Sequence, residues 1–211
     1  MKLTPKVFAV TKTILYVLTM GLLLFPASPM LAVDIAPDAL VKSTVDEVLT
    51  VIKQNKDKQA LRQLAEQKVL PHFDFKRMTQ LAMGPAWRQA NPAQQQALEG
   101  GFRTLLVNTY TNALSISTSG NPTVEVKPVQ VKPDHNDVTV KTVVKESGKQ
   151  PVAIDYHMER LADGWKVYDV VVEDLSLVTN YRGSFASEVS RSGIDGLIKV
   201  LDEKNRTLAK S

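Results

Sequence analysis

Apolar residues recur with two different periods along this chain, and the period changes at Gly120. Val41, Val45, Val48 and Ile52 are spaced by four, three and four residues, so residues 38–54 read as an amphipathic helix. The polar run "KQNKDK" interrupts it, Leu61, Leu64 and Ala65 open a second helix, and Pro71 stops that one. Asp74 is placed to cap a third helix, with Gly84 at its C-terminal stop. Asn91-Pro92 announces a fourth, with Asn at the cap, Pro at the first helical position and Gln94 poised to complete a capping box. Leu98, Phe102, Leu105, Leu106 and Tyr110 form its broad apolar stripe. The Gly100-Gly101 pair inside it costs about 1 kcal/mol per residue relative to alanine, so a closely packed neighbour is expected there.

Beyond Gly120 the period is two. Val124 and Val126, then Val138, Val140 and Val144, then Val152, Ile154, Tyr156 and Met158 alternate with polar residues. Asn136-Asp137, Ser147-Gly148 and Asp163-Gly164 supply the turns. A fourth run, Trp165 to Val172, breaks the rule: Val167 and Val171 lie on one side, and Tyr168, Val170 and Val172 on the other. Residues 174–209 return to helix around Gly183 and Gly193. The expected fold is α+β, an antiparallel twisted sheet of about four strands packed on one face by helices and enclosing an apolar cavity.

The apolar surplus continues through "LSLV" (Leu175 to Val178) to Tyr181 and Phe185. One sheet and a few helices do not need so much, and a pocket for an apolar ligand accounts for it. A diacyl lipid suits such a pocket, with tails inside and head group at the mouth. Val140, Tyr156, Met158, Val171, Leu175, Tyr181 and Phe185 are the expected tail contacts, and Arg88, Lys166 and Arg182 the expected rim.

The N-terminus changes what the bulk charge means. Lys2, Lys6 and Lys12 flank the start of an uncharged run from Ile14 to Phe25, and small residues lead to Ala32. This is the pattern of a cleaved signal peptide over residues 1–32, leaving one domain over residues 33–211. The run is shorter than the ~20 residues a bilayer span needs. The whole chain carries a formal charge of +4, but residues 1–32 hold three lysines and no acid, so residues 33–211 have 23 basic and 22 acidic residues. That near balance removes the support for nucleic-acid binding. There is no cysteine, hence no disulfide, no thiolate-bound metal and no lipidated cysteine.

Candidate catalytic chemistry is sparse. His72, His135 and His157 have no second histidine or carboxylate at metal-ligand spacing, and no nucleophile elbow, P-loop or dinucleotide fingerprint occurs. An acid–base site built from Asp155 or Asp169 with Tyr156 or Tyr168 is conceivable in an apolar pocket. Asp155 lies opposite its strand's apolar face, which leaves Asp169, and an ion pair with Arg182 or Arg160 is the simpler role for it. The expectation is a binding protein rather than an enzyme, with no cofactor and no metal. The alternatives are a small cavity enzyme using Asp169 and a periplasmic adaptor whose apolar surface meets protein.

Two segments carry a resemblance. Val69 to Leu114 includes Pro71, Phe73, Asp74 and Phe75, then Gly84, Trp87 and Arg88, in a P-x-F-D-F…G-x-x-W-R pattern. Trp165 to Leu201 reads W-K-V-Y-D-V at Trp165 to Val170, S-L-V-x-N-Y-R-x-x-F from Ser176 to Phe185, and G-I-D-G-L-I from Gly193 to Ile198. Both segments resemble the MlaC family, also called toluene-tolerance or Ttg2D proteins. That resemblance implies a fold like nuclear transport factor 2 and a periplasmic carrier with phospholipid as cargo. It also implies two partners, an outer-membrane lipoprotein–porin complex and an inner-membrane ABC transporter, and a role in keeping phospholipid out of the outer leaflet. One departure stands out. Many members have glycine where this chain has Asp174, which implies a positive φ that Asp tolerates better than most residues.

Overall fold

A computed structural model of the protein describes residues 35–54, 57–116 and 122–210; the signal-peptide expectation for residues 1–32 lies outside them. Helix α1 runs Pro37–Gln54, with Asp38 in its first turn and Lys53 in its last, both favourable to the helix dipole. Helix α2, Lys58–Leu64, is capped by the Asp57 carboxylate, which accepts from the Ala60 N–H. Its end is gradual: the chain widens through Ala65–Val69 and tightens through Leu70–His72, where Pro71 needs no N–H partner.

Helix α3, Phe75–Met83, starts as expected, the Arg77 N–H donating to the Asp74 carboxylate at 2.8 Å. It ends at Gly84, whose φ of 55° few other residues adopt. Helix α4, Pro92–Ile116, opens on a reciprocal cap. The Gln94 N–H donates to Asn91 Oδ1 at 2.9 Å, and the Asn91 N–H to Gln94 Oε1 at 3.0 Å. Of the two glycines within it, only Gly101 is tightly packed. A Cβ there would sit 3.3 Å from the Leu201 side chain, whereas at Gly100 it would meet nothing within 4 Å.

The sheet is an antiparallel meander, β1 Thr123–Val126, β2 Asp137–Lys145, β3 Val152–Leu161, β4 Gly164–Val172 and β5 Leu175–Ser176, in spatial order 1 to 5. The fifth strand is two residues long and returns from β4 through a two-residue loop, Glu173-Asp174. Both loop residues have positive φ, 47° and 65°, which is what a type I′ hairpin requires. The positive φ implied at Asp174 is therefore present. Helix α5, Leu177–Leu208, is capped by Ser176 and interrupted at Gly193, where φ is 72°.

The helices do not form a single layer. Phe75, Met78, Leu98, Phe102, Phe185, Leu197 and Leu201 belong to one core, built from α3, α4 and α5. A second core holds Val140, Met158, Trp165 and Val167 from the sheet beneath Leu40 and Val41 of α1. The doubly apolar strand has its explanation here. Val170 opposes Tyr156 and Asp169 opposes His157, but Met158 opposes Val167, so Tyr168 is an extra residue in a β-bulge. The bulge shifts the alternation by one. Val170 on one side of it and Val167 and Trp165 on the other then point to the same covered face.

Candidate functional site

Three consecutive residues of β4 fasten the helical core to the sheet. At Val167, extended Phe73 lies alongside as a parallel bridge, and the Asp74 N–H donates to the Val167 carbonyl at 2.9 Å. At Tyr168, the Arg77 guanidinium lies 3.8 Å from the ring centroid and pairs with Glu159 and, at 3.5 Å, Asp137. The Tyr168 hydroxyl donates to Asp137 at 3.0 Å. Burial, then that hydrogen bond, push its pKa up to about 12, because both favour the neutral phenol.

At Asp169 the carboxylate is 7% exposed and fully engaged. It accepts from Ser176 Oγ at 2.6 Å, from the Val178 N–H at 3.1 Å and from the Val170 N–H at 2.9 Å. It is an auxiliary cap for α5, which corrects the expected ion pair. Arg182 instead donates from Nε to the Leu81 carbonyl at 2.8 Å, and Arg160 stacks over the Trp165 ring at 5.5 Å.

The seven expected tail contacts fall in separate places. Val140 and Met158 are fully buried, with Tyr156 half-buried beside them, in the core under α1. Burial raises the Tyr156 phenol pKa, partly opposed by a hydrogen bond with Thr142. Tyr181 and Phe185 belong to the other core, where Phe102 meets their rings edge-on at 5.0 and 5.1 Å. Val171 pairs with Asp155 and Ser176, on the sheet face opposite Tyr156. Leu175 is 75% exposed at the hairpin. Of the rim candidates, Arg88 is exposed on the turn Gly84–Gln89, and Arg182 is held by Leu81. Lys166 donates from Nζ to the Pro71 carbonyl at 2.8 Å and pairs with Asp163 at 2.9 Å.

An enclosed apolar cavity is not seen among the described residues. Two concavities among the described residues are open grooves of about 500 and about 420 Å³. The larger includes Phe73, Phe75, Lys76, Glu99, Arg103 and Lys166; the smaller lies between α2, α4 and α5. Phe73, named in the P-x-F-D-F pattern, is the residue that pattern reading did not assign to the site. It packs against both cores and lines the larger groove. The available signal was its place just before the Asp74 cap, where a hydrophobic residue staples onto the helix. No group of three or more metal-ligating side chains occurs among the described residues, and no helix there is long and apolar enough to cross a membrane.

This arrangement has known relatives. A family model described as MlaC protein matches residues 42–203. The toluene tolerance protein ttg2D of Pseudomonas putida is 28% identical over 203 residues, covering 92% of this chain and 93% of that protein. The intermembrane phospholipid transport system binding protein MlaC of Haemophilus influenzae is 20% identical over 195 residues, covering 89% and 90%. Among solved structures, the phospholipid-binding protein from Ralstonia solanacearum, in complex with a phospholipid, superposes with a TM-score of 0.73 at 44% identity. It covers 82% of this chain and 98% of its own.

Proposed function

This chain belongs to the MlaC family, and from that premise we propose that it binds phospholipid and carries it between membranes. The observation that carries the reading is the likeness, at 44% identity over 82% of the chain, to a structure solved with phospholipid bound. The architecture suits the task. Two separate apolar cores meet at Phe73 and are fastened along one strand, so tails inserted between them find apolar surface on both sides. Each Å² of tail surface taken from water contributes roughly 25 cal/mol. Loading parts the two cores around the tails, and release follows when a partner offers the tails a competing site.

In this reading residues 1–32 direct export and are removed, and the domain of residues 33–211 works in the periplasm. It moves between an outer-membrane lipoprotein–porin complex and an inner-membrane ABC transporter, maintaining lipid asymmetry. Val140, Tyr156 and Met158 on the sheet side, with Tyr181 and Phe185 on the helix side, are the proposed tail contacts. Val171 and Leu175 join them only at the open end of β4. The protein is not an enzyme in this reading. Asp169, the one serious acid–base candidate, is spent on the α5 cap. Native mass spectrometry of the gently purified protein tests carriage: co-purified phospholipid is expected, and repeatedly bare protein would overturn it.

A further inference from the structure

We infer that the larger groove is the head-group site, and that its charges suit a zwitterionic head, a phosphate joined to an ammonium. The inference rests on the carriage reading and adds where the polar end sits and which class of head it takes. Position is the first argument. Phe73 lines this groove of about 500 Å³ and packs against both cores. Tails that part the cores at Phe73 leave the glycerol and head group in the groove above it. The smaller groove, which includes Arg62, Asp202 and Arg206, is lined by no residue of either core.

Charge is the second argument. Lys76 and Arg103 line the groove without an ion-pair partner among the described residues, and Arg103 is set over the Phe75 ring at 5.7 Å. They are available to a phosphate. Glu99 also lines it without an ion-pair partner among the described residues, and is available to an ammonium. The remaining charges are already committed. Lys166 is paired with Asp163, and Asp74 is occupied by the Arg77 N–H. What is left is two cations beside one anion, over the aromatic pair Phe73–Phe75, whose ring centroids are 5.8 Å apart. An anionic head such as phosphoglycerol satisfies the cations but brings no ammonium for Glu99 and adds negative charge beside it. A phosphoethanolamine head satisfies both signs.

The test loads the purified, delipidated protein from vesicles of equimolar phosphatidylethanolamine and phosphatidylglycerol and reads the bound lipids by mass spectrometry. The expected preference for phosphatidylethanolamine is about two- to fivefold, the size that a solvent-exposed charge pair supports. Glu99→Lys should shift the ratio toward phosphatidylglycerol by a similar factor, with Glu99→Gln shifting it part of the way. Arg103→Glu should lower the loading of both lipids several-fold. Arg206→Glu, in the other groove, is the control for general attraction to the vesicle and should change neither reading. Thermal melts confirm that each variant is folded. Unchanged ratios in both Glu99 variants with loading intact would overturn the assignment, as would an equal shift from Arg206→Glu, and either leaves carriage standing. A wild type that takes up neither lipid would instead defeat the carriage reading and the inference with it.

Discussion

The two cores are built from different kinds of residue, and the difference separates holding the fold from making room. The helical core is deep and rich in large side chains. Phe102, Met78 and Leu98 are fully buried, and Phe102 meets two further rings. The sheet core is thin. Val138, Tyr156 and Val170 are only partly covered, and helix α1 supplies the helical cover through Leu40, Val41 and Val45. A core in which aromatic rings interlock between helices resists opening, while a sheet face covered by a single helix parts at smaller cost. The sheet side is thus the yielding wall.

That contrast can be broken from several directions. The largest effect is expected from Phe102→Ala, which empties a ring-sized space where three elements meet and should cost about 3–5 kcal/mol in urea unfolding. A stabilised intermediate with the sheet lost first would sharpen the contrast further. Next comes Asp169→Ala. It strands the Val178 N–H and Ser176 hydroxyl at the junction of the two cores and should cost about 2–3 kcal/mol. Leu40→Ala, in the thin core, should cost about 2 kcal/mol, at the low end for its size, because α1 can settle onto the sheet. A loss equal to that of Phe102→Ala would contradict the contrast.

Two smaller effects are pH-dependent. The Tyr168 pKa stands at about 12 against an ordinary 10.0, so the unfolded chain loses that proton first. The stabilisation is complete below pH 10 and fades as pH rises through 12, and Tyr168→Phe should flatten that alkaline loss in thermal melts. His72 runs the other way. Burial, aided by the Lys166 charge, lowers its pKa below 6.5, so the unfolded chain binds the proton more tightly. Stability should decline slightly as pH falls from 6.5 through that lowered value, and His72→Asn should remove the decline.

Much of the fold was legible because its signals are local. Asn91 with Gln94, Asp74 before α3 and the turns at Ser147-Gly148 and Asp163-Gly164 each declare themselves within a few residues and are found where expected. The Asn136-Asp137 turn is not: β1 and β2 are joined by the longer stretch 127–136, which turns at Pro133-Asp134, and Asp137 already opens β2. The fate of Asp169 was not legible. A carboxylate that caps a helix starting eight residues later looks, in sequence, like any buried acid awaiting an arginine. The candidate site was legible only by composition. The apolar surplus is real, but period-two counting cannot detect a bulge, so it put Val167 and Val170 on different faces where the register places them on one. Nor can it anticipate that Phe73, outside every strand, completes the edge of β4.

Tyr168 gives the strand an odd parity, with consequences for how its sequence can change. Deleting Tyr168 would remove the extra residue itself, leaving Val167 opposite Met158, Asp169 opposite His157 and Val170 opposite Tyr156 in an unbroken ladder with the same face covered. Straightening the strand at its present length is what would re-address it, turning Asp169 and Val171, rather than Val170, toward the covered face. The segment can therefore lose one residue at the bulge, but it cannot lose the bulge and keep its length.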